Sequence, residues 1–212
     1  MKKFIFFALI SLVSCTEKEK KVTTVPLEQP KPEIIVTPEI KDSILQKWSA
    51  YYEQSNPNFN TDLFKLTQTS PITFNKTSVK ILNKKGFNEI YKPFLVFSKS
   101  GEQYLDFDSY QWSIGPDGAA SFEADQQVAL VDLRSKTAKQ IAFFGPSYWV
   151  EEAYWKGDSV AVLLGNSYEK VPFKSEYNFK NNTLKYFQYP DTLQFDKPYS
   201  QVRLEKNGIR VD

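Results

Sequence analysis

The spacing of apolar residues predicts one helix followed by a long succession of strands. Ile40, Ile44, Trp48, Tyr51 and Tyr52 recur at steps of three and four, which places them on one face of a helix. Thr37-Pro38-Glu39, just ahead, supplies a cap residue, a proline in the first turn and an early acid. Asn56-Pro57 ends the stretch, because proline disfavours helical backbone in the residue before it. From about residue 63 the apolar positions fall into short runs broken by polar turns, the pattern of antiparallel hairpins. Segments 94–98 and 103–107 flank Lys99-Ser100-Gly101-Glu102, and segments 128–133 and 138–144 flank Arg134-Ser135-Lys136-Thr137. Segments 150–155 and 159–164 flank Lys156-Gly157-Asp158, and segments 177–179 and 183–189 flank Lys180-Asn181-Asn182. A strand over 79–82 is expected before Lys84-Lys85-Gly86. A last hairpin, 202–204 with 209–211, is expected around Asn207-Gly208, a strong two-residue turn signal.

The fold class that follows is mainly β: an antiparallel meander or partial-propeller-like sheet with one N-terminal amphipathic helix. An internal echo bears on the second form. VALVDLRSKTAKQI (128–141) and KSEYNFKNNTLKYF (174–187) each read as strand, polar turn and Thr-x-Lys strand, at an offset of 46 residues. Spacings of about 40–45 residues mark propeller blades. A closed propeller needs at least about four blades, and about two such units are visible, so a meander with the helix on one side fits the length better. Trp112 and Trp155 are a second pair at similar spacing, each followed by a Gly/Asp turn.

The N-terminus has a different character. Lys2 and Lys3 precede an apolar run over 4–13, and behind Cys15 the composition turns to Thr-Glu-Lys-Glu-Lys-Lys. A basic start, an apolar core of roughly 7–15 residues and a small-residue cut site define a secretory signal peptide. The run is too short for a membrane span, which needs about 20 residues. Leu12-Val13-Ser14-Cys15 resembles the lipobox of bacterial lipoproteins, and the charged run behind it is similar to that of Bacteroidota-type surface lipoproteins. The resemblance covers only the first 15 residues and the charges that follow. It implies lipidation of Cys15, cleavage before it and acylation of the new N-terminus. Two or three acyl chains suffice for stable anchoring, since each buried methylene contributes about 0.8 kcal/mol. Thr16 stands where an aspartate would favour retention in the inner membrane, so the outer membrane is the expected location, on its periplasmic or surface face. The chain then divides into a signal peptide (1–14), the lipidated Cys15 and a flexible tether (15–38), and a single β-rich domain (39–212). Pro26, Pro30, Pro32 and Pro38 hold the tether extended. Ile34-Ile35-Val36 within it is either a docking edge strand or a sticky patch.

Charge and composition exclude several functions. Lys+Arg 27 against Asp+Glu 25 becomes 25 against 25 once Lys2 and Lys3 leave with the signal peptide. So balanced a chain lacks the basic face of a nucleic-acid binder. With His 0 and Cys15 consumed by lipid, His-assisted nucleophiles, thiolate chemistry and the usual transition-metal ligands are missing. No cofactor, metal site or catalytic residue is expected.

What remains is carboxylates and aromatics. If Trp149, Ala153 and Trp155 face the core, Glu151 points inward with them and needs a partner. Asp106 and Asp108 share a strand face, a pattern compatible with Ca²⁺, and Asp117 in Pro-Asp-Gly forms a turn. Tyr148 and Trp149 follow the Gly145-Pro146 turn, so one ring is expected to be exposed. Tyr148, Trp149 and Glu151 are the candidate binding residues. The favoured reading is a lipid-anchored, non-enzymatic binding or assembly module whose partner is another envelope or secreted protein. One alternative is an inhibitor or immunity lipoprotein that inserts segment 145–152 into a toxin or lytic enzyme. The other is a glycan hydrolase, which needs two convergent carboxylates about 5–5.5 Å or 6.5–9.5 Å apart.

Overall fold

The computed structural model describes residues 38–212, with side chains from Ser43 onward. The signal peptide, Cys15, Ile34-Ile35-Val36 and the rest of the tether to residue 37 lie outside the described residues. Helix α1, Pro38–Glu53, forms where the three-and-four spacing placed it. Trp48 and Tyr52 are buried on its inner face, with Ile44 and Tyr51 half-buried beside them. Past its end, the Asn56 side-chain amide donates to the Tyr52 carbonyl at 2.7 Å, and Pro57 follows.

Eleven strands follow: β1 (Lys65–Pro71), β2 (Val96–Phe97), β3 (Gln103–Asp106), β4 (Trp112–Ile114), β5 (Ala120–Phe122), β6 (Gln126–Asp132), β7 (Thr137–Phe144), β8 (Tyr148–Lys156), β9 (Val160–Ser167), β10 (Pro172–Asn178) and β11 (Thr183–Gln188). Every strand pair is antiparallel. One sheet has the order β2-β3-β6-β7, a second β1-β11-β10-β9-β8, and β4-β5 is a separate hairpin. The protein is therefore mainly β, with antiparallel sheets and an N-terminal amphipathic helix. Four of the expected hairpins are present, and each turn uses a residue at positive φ: Gly101, Lys136, Gly157 and Asn182. The two echoing segments fall in β6-β7 and β10-β11. These are the third and fourth strands of two runs, β2-β3-β6-β7 and β8-β9-β10-β11, that keep chain order within their sheets. Trp112 and Trp155 do not correspond in this way, since Trp112 lies in the inserted β4-β5 hairpin.

The core is layered. Leu105, Phe107, Val128 and Ile141 from the first sheet meet Val150, Ala153, Trp155, Leu163 and Phe173 from the second. The Trp155 indole N–H donates across this interface to the Val96 carbonyl at 2.9 Å. On the other face of the second sheet, Tyr154, Val162, Leu164 and Tyr189 receive Trp48, Tyr52 and Phe59. Edge-to-face ring pairs fill that layer, with Trp48 centroids 5.3 Å from Tyr52 and 5.7 Å from Phe59.

Three expected strands, 79–82, 202–204 and 209–211, take other forms, the last reduced to a single bridge between Arg210 and Ala119. Segment 79–82 is irregular and covers the outer face of the first sheet. Ile81 and Leu82 pack against Leu95, Tyr104 and Val131, and the Leu82 N–H donates to the Tyr104 hydroxyl at 2.8 Å. Its apolar side chains bury themselves by lying across a face, which asks for no edge ladder. At the C-terminus, 202–204 belongs to helix α2, Tyr199–Lys206. Asn207-Gly208 closes that helix: Gly208 has φ +81°, its N–H donates to Glu205 O at 2.9 Å, and the Ile209 N–H reaches Leu204 O at 3.1 Å. This is the Schellman arrangement, completed by contact between Ile209 and Leu204 in one apolar cluster. A left-handed glycine serves a helix end as well as a hairpin turn, so the dipeptide alone does not separate them.

Candidate functional site

β8 carries the irregularity that shapes the site. Val150 pairs with Gly165 and Glu152 with Leu164, which leaves Glu151 unpaired in a β-bulge. The extra residue shifts the face alternation by one. Trp149 and Glu151 turn toward α1, whereas Ala153 and Trp155 enter the core between the sheets. The four residues expected on one face are thus divided two and two. Gly165 makes room for the bulge, because a Cβ there would collide with the Trp149 carbonyl oxygen and come within 2.5 Å of the Phe173 ring.

Glu151 is fully buried and has found its partners. The Trp48 indole N–H and the Asn166 amide donate to one carboxylate oxygen, both at 2.9 Å, and the Trp149 indole N–H donates to the other at 3.0 Å. The Tyr52 hydroxyl donates to the same carboxylate at 2.7 Å. That hydroxyl in turn accepts from the Asn166 amide and from the Tyr199 backbone N–H, both at 3.1 Å. One carboxylate therefore ties together α1, β8, β9 and the start of α2. Burial drives its pKa above the ordinary 4.5, while the four donors pull it back. Burial and the Glu151 charge also push the Tyr52 hydroxyl up.

In front of this network lies a cleft of about 270 Å³, between the β4-β5 hairpin, the start of β8 and the first turn of α2. Trp112, Phe122, Tyr148 and Trp149 give it aromatic walls. Tyr148 is 39% exposed and Trp149 is half-buried, its ring fixed from behind by Glu151. Both begin strand β8 and are not on a preceding loop. At the cleft floor Asp108 accepts from the Trp112 indole N–H at 2.9 Å and from Arg203 at 2.7 Å through the same oxygen. The Arg203 guanidinium lies over Phe107 and Phe94, 4.9 and 5.5 Å from their ring centroids. Gln126 also lines the cleft, with its amide fully used. It donates to Phe107 O and Val150 O and accepts from the Val150 N–H at 2.6 Å, which satisfies backbone groups that the bulge displaces.

Tyr148 and Trp149 thus come together in the cleft, and Glu151 stands behind it as a positioning residue. Asp106 is spent on protein partners, and Asp108 spends one of its oxygens, Oδ1, on them. Asp106 holds the turn through the Asp108 and Ser109 N–H groups and the Ser109 hydroxyl, while Asp108 holds Arg203. Among the described residues no three metal-ligating side chains of the His, Cys, Asp and Glu type gather. Asp117 accepts from the Ala119 N–H at 3.1 Å, as a turn former does. Gln111, Gln126 and Arg203 escaped the sequence reading. Arg203 sits in a segment whose apolar residues alternate like a strand, and nothing local links it to Asp108, 95 residues away.

Comparison with protein-family models, curated proteins and solved structures finds no match to this chain. Among the described residues no helix is long and apolar enough to cross a membrane.

Proposed function

We propose that this protein is a lipid-anchored binding module of the cell envelope, tethered through Cys15 and presenting its β domain to another envelope or secreted component. The lipobox-like Leu12-Val13-Ser14-Cys15 supports the anchor. The observation that carries the binding role is the cleft. It sets a partly exposed Tyr148 beside Trp149 over a polar floor, and the Trp149 ring is held in place by the buried Glu151. Preorganised aromatic surface of this kind binds at low entropic cost.

The two alternatives gain less. An inhibitor that inserts 145–152 into an active site would use an acid, yet Glu151 is sealed inside and Glu152 is half-buried, so Tyr148 is the ring left to offer. A two-carboxylate hydrolase needs a convergent pair, and the cleft is lined by one carboxylate, Asp108, already bonded to Arg203.

The test is capture from an envelope fraction with the purified full chain, then affinity measurement of the recovered component for wild type and Tyr148→Ala. Tyr148→Ala is expected to weaken the complex by about 2 kcal/mol while leaving the thermal midpoint of the free protein nearly unchanged. Equal affinity for the two proteins overturns the assignment of the cleft.

A further inference from the structure

We propose that the cleft holds one ring of a neutral sugar. This rests on the reading of the cleft as the binding site and adds the chemical class of its ligand.

The first ground is hydrogen-bonding capacity left over in the cleft lining. Asp108 Oδ2, Gln111 Oε1 and Arg203 Nε are buried and have no protein partner. They make up three of the five such side-chain atoms among the described residues, and all three belong to residues that line this one cleft. The Gln111 amide is oriented unambiguously: Nε2 donates to Glu123 O at 3.0 Å, a carbonyl that can only accept, which leaves Oε1 unused. Asp108 and Arg203 are held at the floor with side-chain exposures of 4% and 11%. The set offered is two acceptors and one donor. A ligand that matches it must both donate and accept, which adjacent hydroxyls do and a simple ion does not.

The second ground is charge. Arg203 is paired with Asp108 at 2.7 Å and lies in the field of Glu152 as well. An incoming anion meets two carboxylates near its only cation, and an incoming cation meets the guanidinium. A neutral ligand avoids both repulsions.

The third ground is shape. Tyr148 and Phe122, 39% and 40% exposed, offer flat apolar surface beside the polar floor, as the C–H face of a pyranose requires. The volume of about 270 Å³ lies just below the roughly 300–1,000 Å³ of drug-sized sites, which suits a single ring better than an extended chain.

The experiment is a titration of the purified protein with glucose, galactose, mannose and N-acetylglucosamine and their methyl glycosides. It is followed by tryptophan emission, since Trp112 and Trp149 line the cleft. At least one sugar is expected to give a saturable change. Gln111→Ala and Tyr148→Ala should each weaken it about tenfold, and Phe74→Ala, an exposed ring that does not line the cleft, should leave it unchanged. The thermal midpoint of each variant reports folding, and if Gln111→Ala proves unfolded, Tyr148→Ala decides alone. No response up to about 50 mM, well past the millimolar range of weak sites, overturns the sugar assignment. So does a response that both variants retain. If the sugars are silent while a captured envelope protein still depends on Tyr148, the ligand class fails and the cleft stands as the binding site. If neither depends on Tyr148, the cleft itself is discarded.

Discussion

Glu151 concentrates the energetics of the molecule in one side chain. A buried carboxylate without a cation is costly unless donors replace its hydration, and here four do so from three different elements. Replacing one acceptor oxygen with an NH₂ group sets donors against donors. Glu151→Gln is therefore expected to lower stability by about 2 kcal/mol near neutral pH, measured by urea unfolding. The pH dependence has a definite sign. Because the folded carboxyl titrates above its ordinary 4.5, its contribution is complete below that value and is lost as pH rises through the folded pKa. The stability gap between wild type and Glu151→Gln should then narrow as the pH is raised from about 5 to about 8. A gap that instead widens as the pH rises through the acid range below about 4.5, and is flat above it, would show that the four donors outweigh burial.

At the scale of elements, the bulge in β8 does what a regular strand cannot. Without it, Glu151 would share a face with Ala153 and Trp155, inside the apolar layer between the sheets. With it, the acid reaches the α1 side while those two remain in the core. Gly165 and Gln126 are its accessories, one by lacking a side chain and the other by bonding the Val150 N–H and C=O. Gly165→Ala should cost about 3 kcal/mol, the upper end of the overpacking range, because backbone and a packed ring must both give way. The check is the thermal midpoint together with the emission of Trp149. A variant as stable as wild type would mean that the bulge migrates along β8 at little cost.

For the whole molecule, we propose two parts with separate tasks: an address in the first residues and a binding surface in the domain. If the anchor is right, wild type partitions into the detergent phase and Cys15→Ala moves to the aqueous phase, with the domain unchanged in stability. A Cys15→Ala protein that still follows the membrane fraction would defeat the anchoring proposal. Helix α1 is itself bonded to Glu151 through Trp48 and Tyr52, so the helix and the back of the cleft belong to one packed layer.

The sequence by itself determined what depends on short range. The 3.6-residue spacing of α1, the four hairpins and their turn residues, and the turn at Asp117 are local choices of backbone and pattern. It also excluded histidine chemistry outright. Three features lay beyond it, each for a physical reason. The bulge is invisible because an inserted residue leaves the composition of a strand unchanged and alters only which face each later residue takes. Asn207-Gly208 permits either a hairpin or a helix end, and packing of Leu204 and Ile209 against Tyr91, Phe94 and Trp112 selected the helix. The cleft required Asp108 and Gln111, Tyr148, and Arg203 to meet from three distant segments. No local rule brings them together; only the burial of the sheets against each other and of α2 against their edge does.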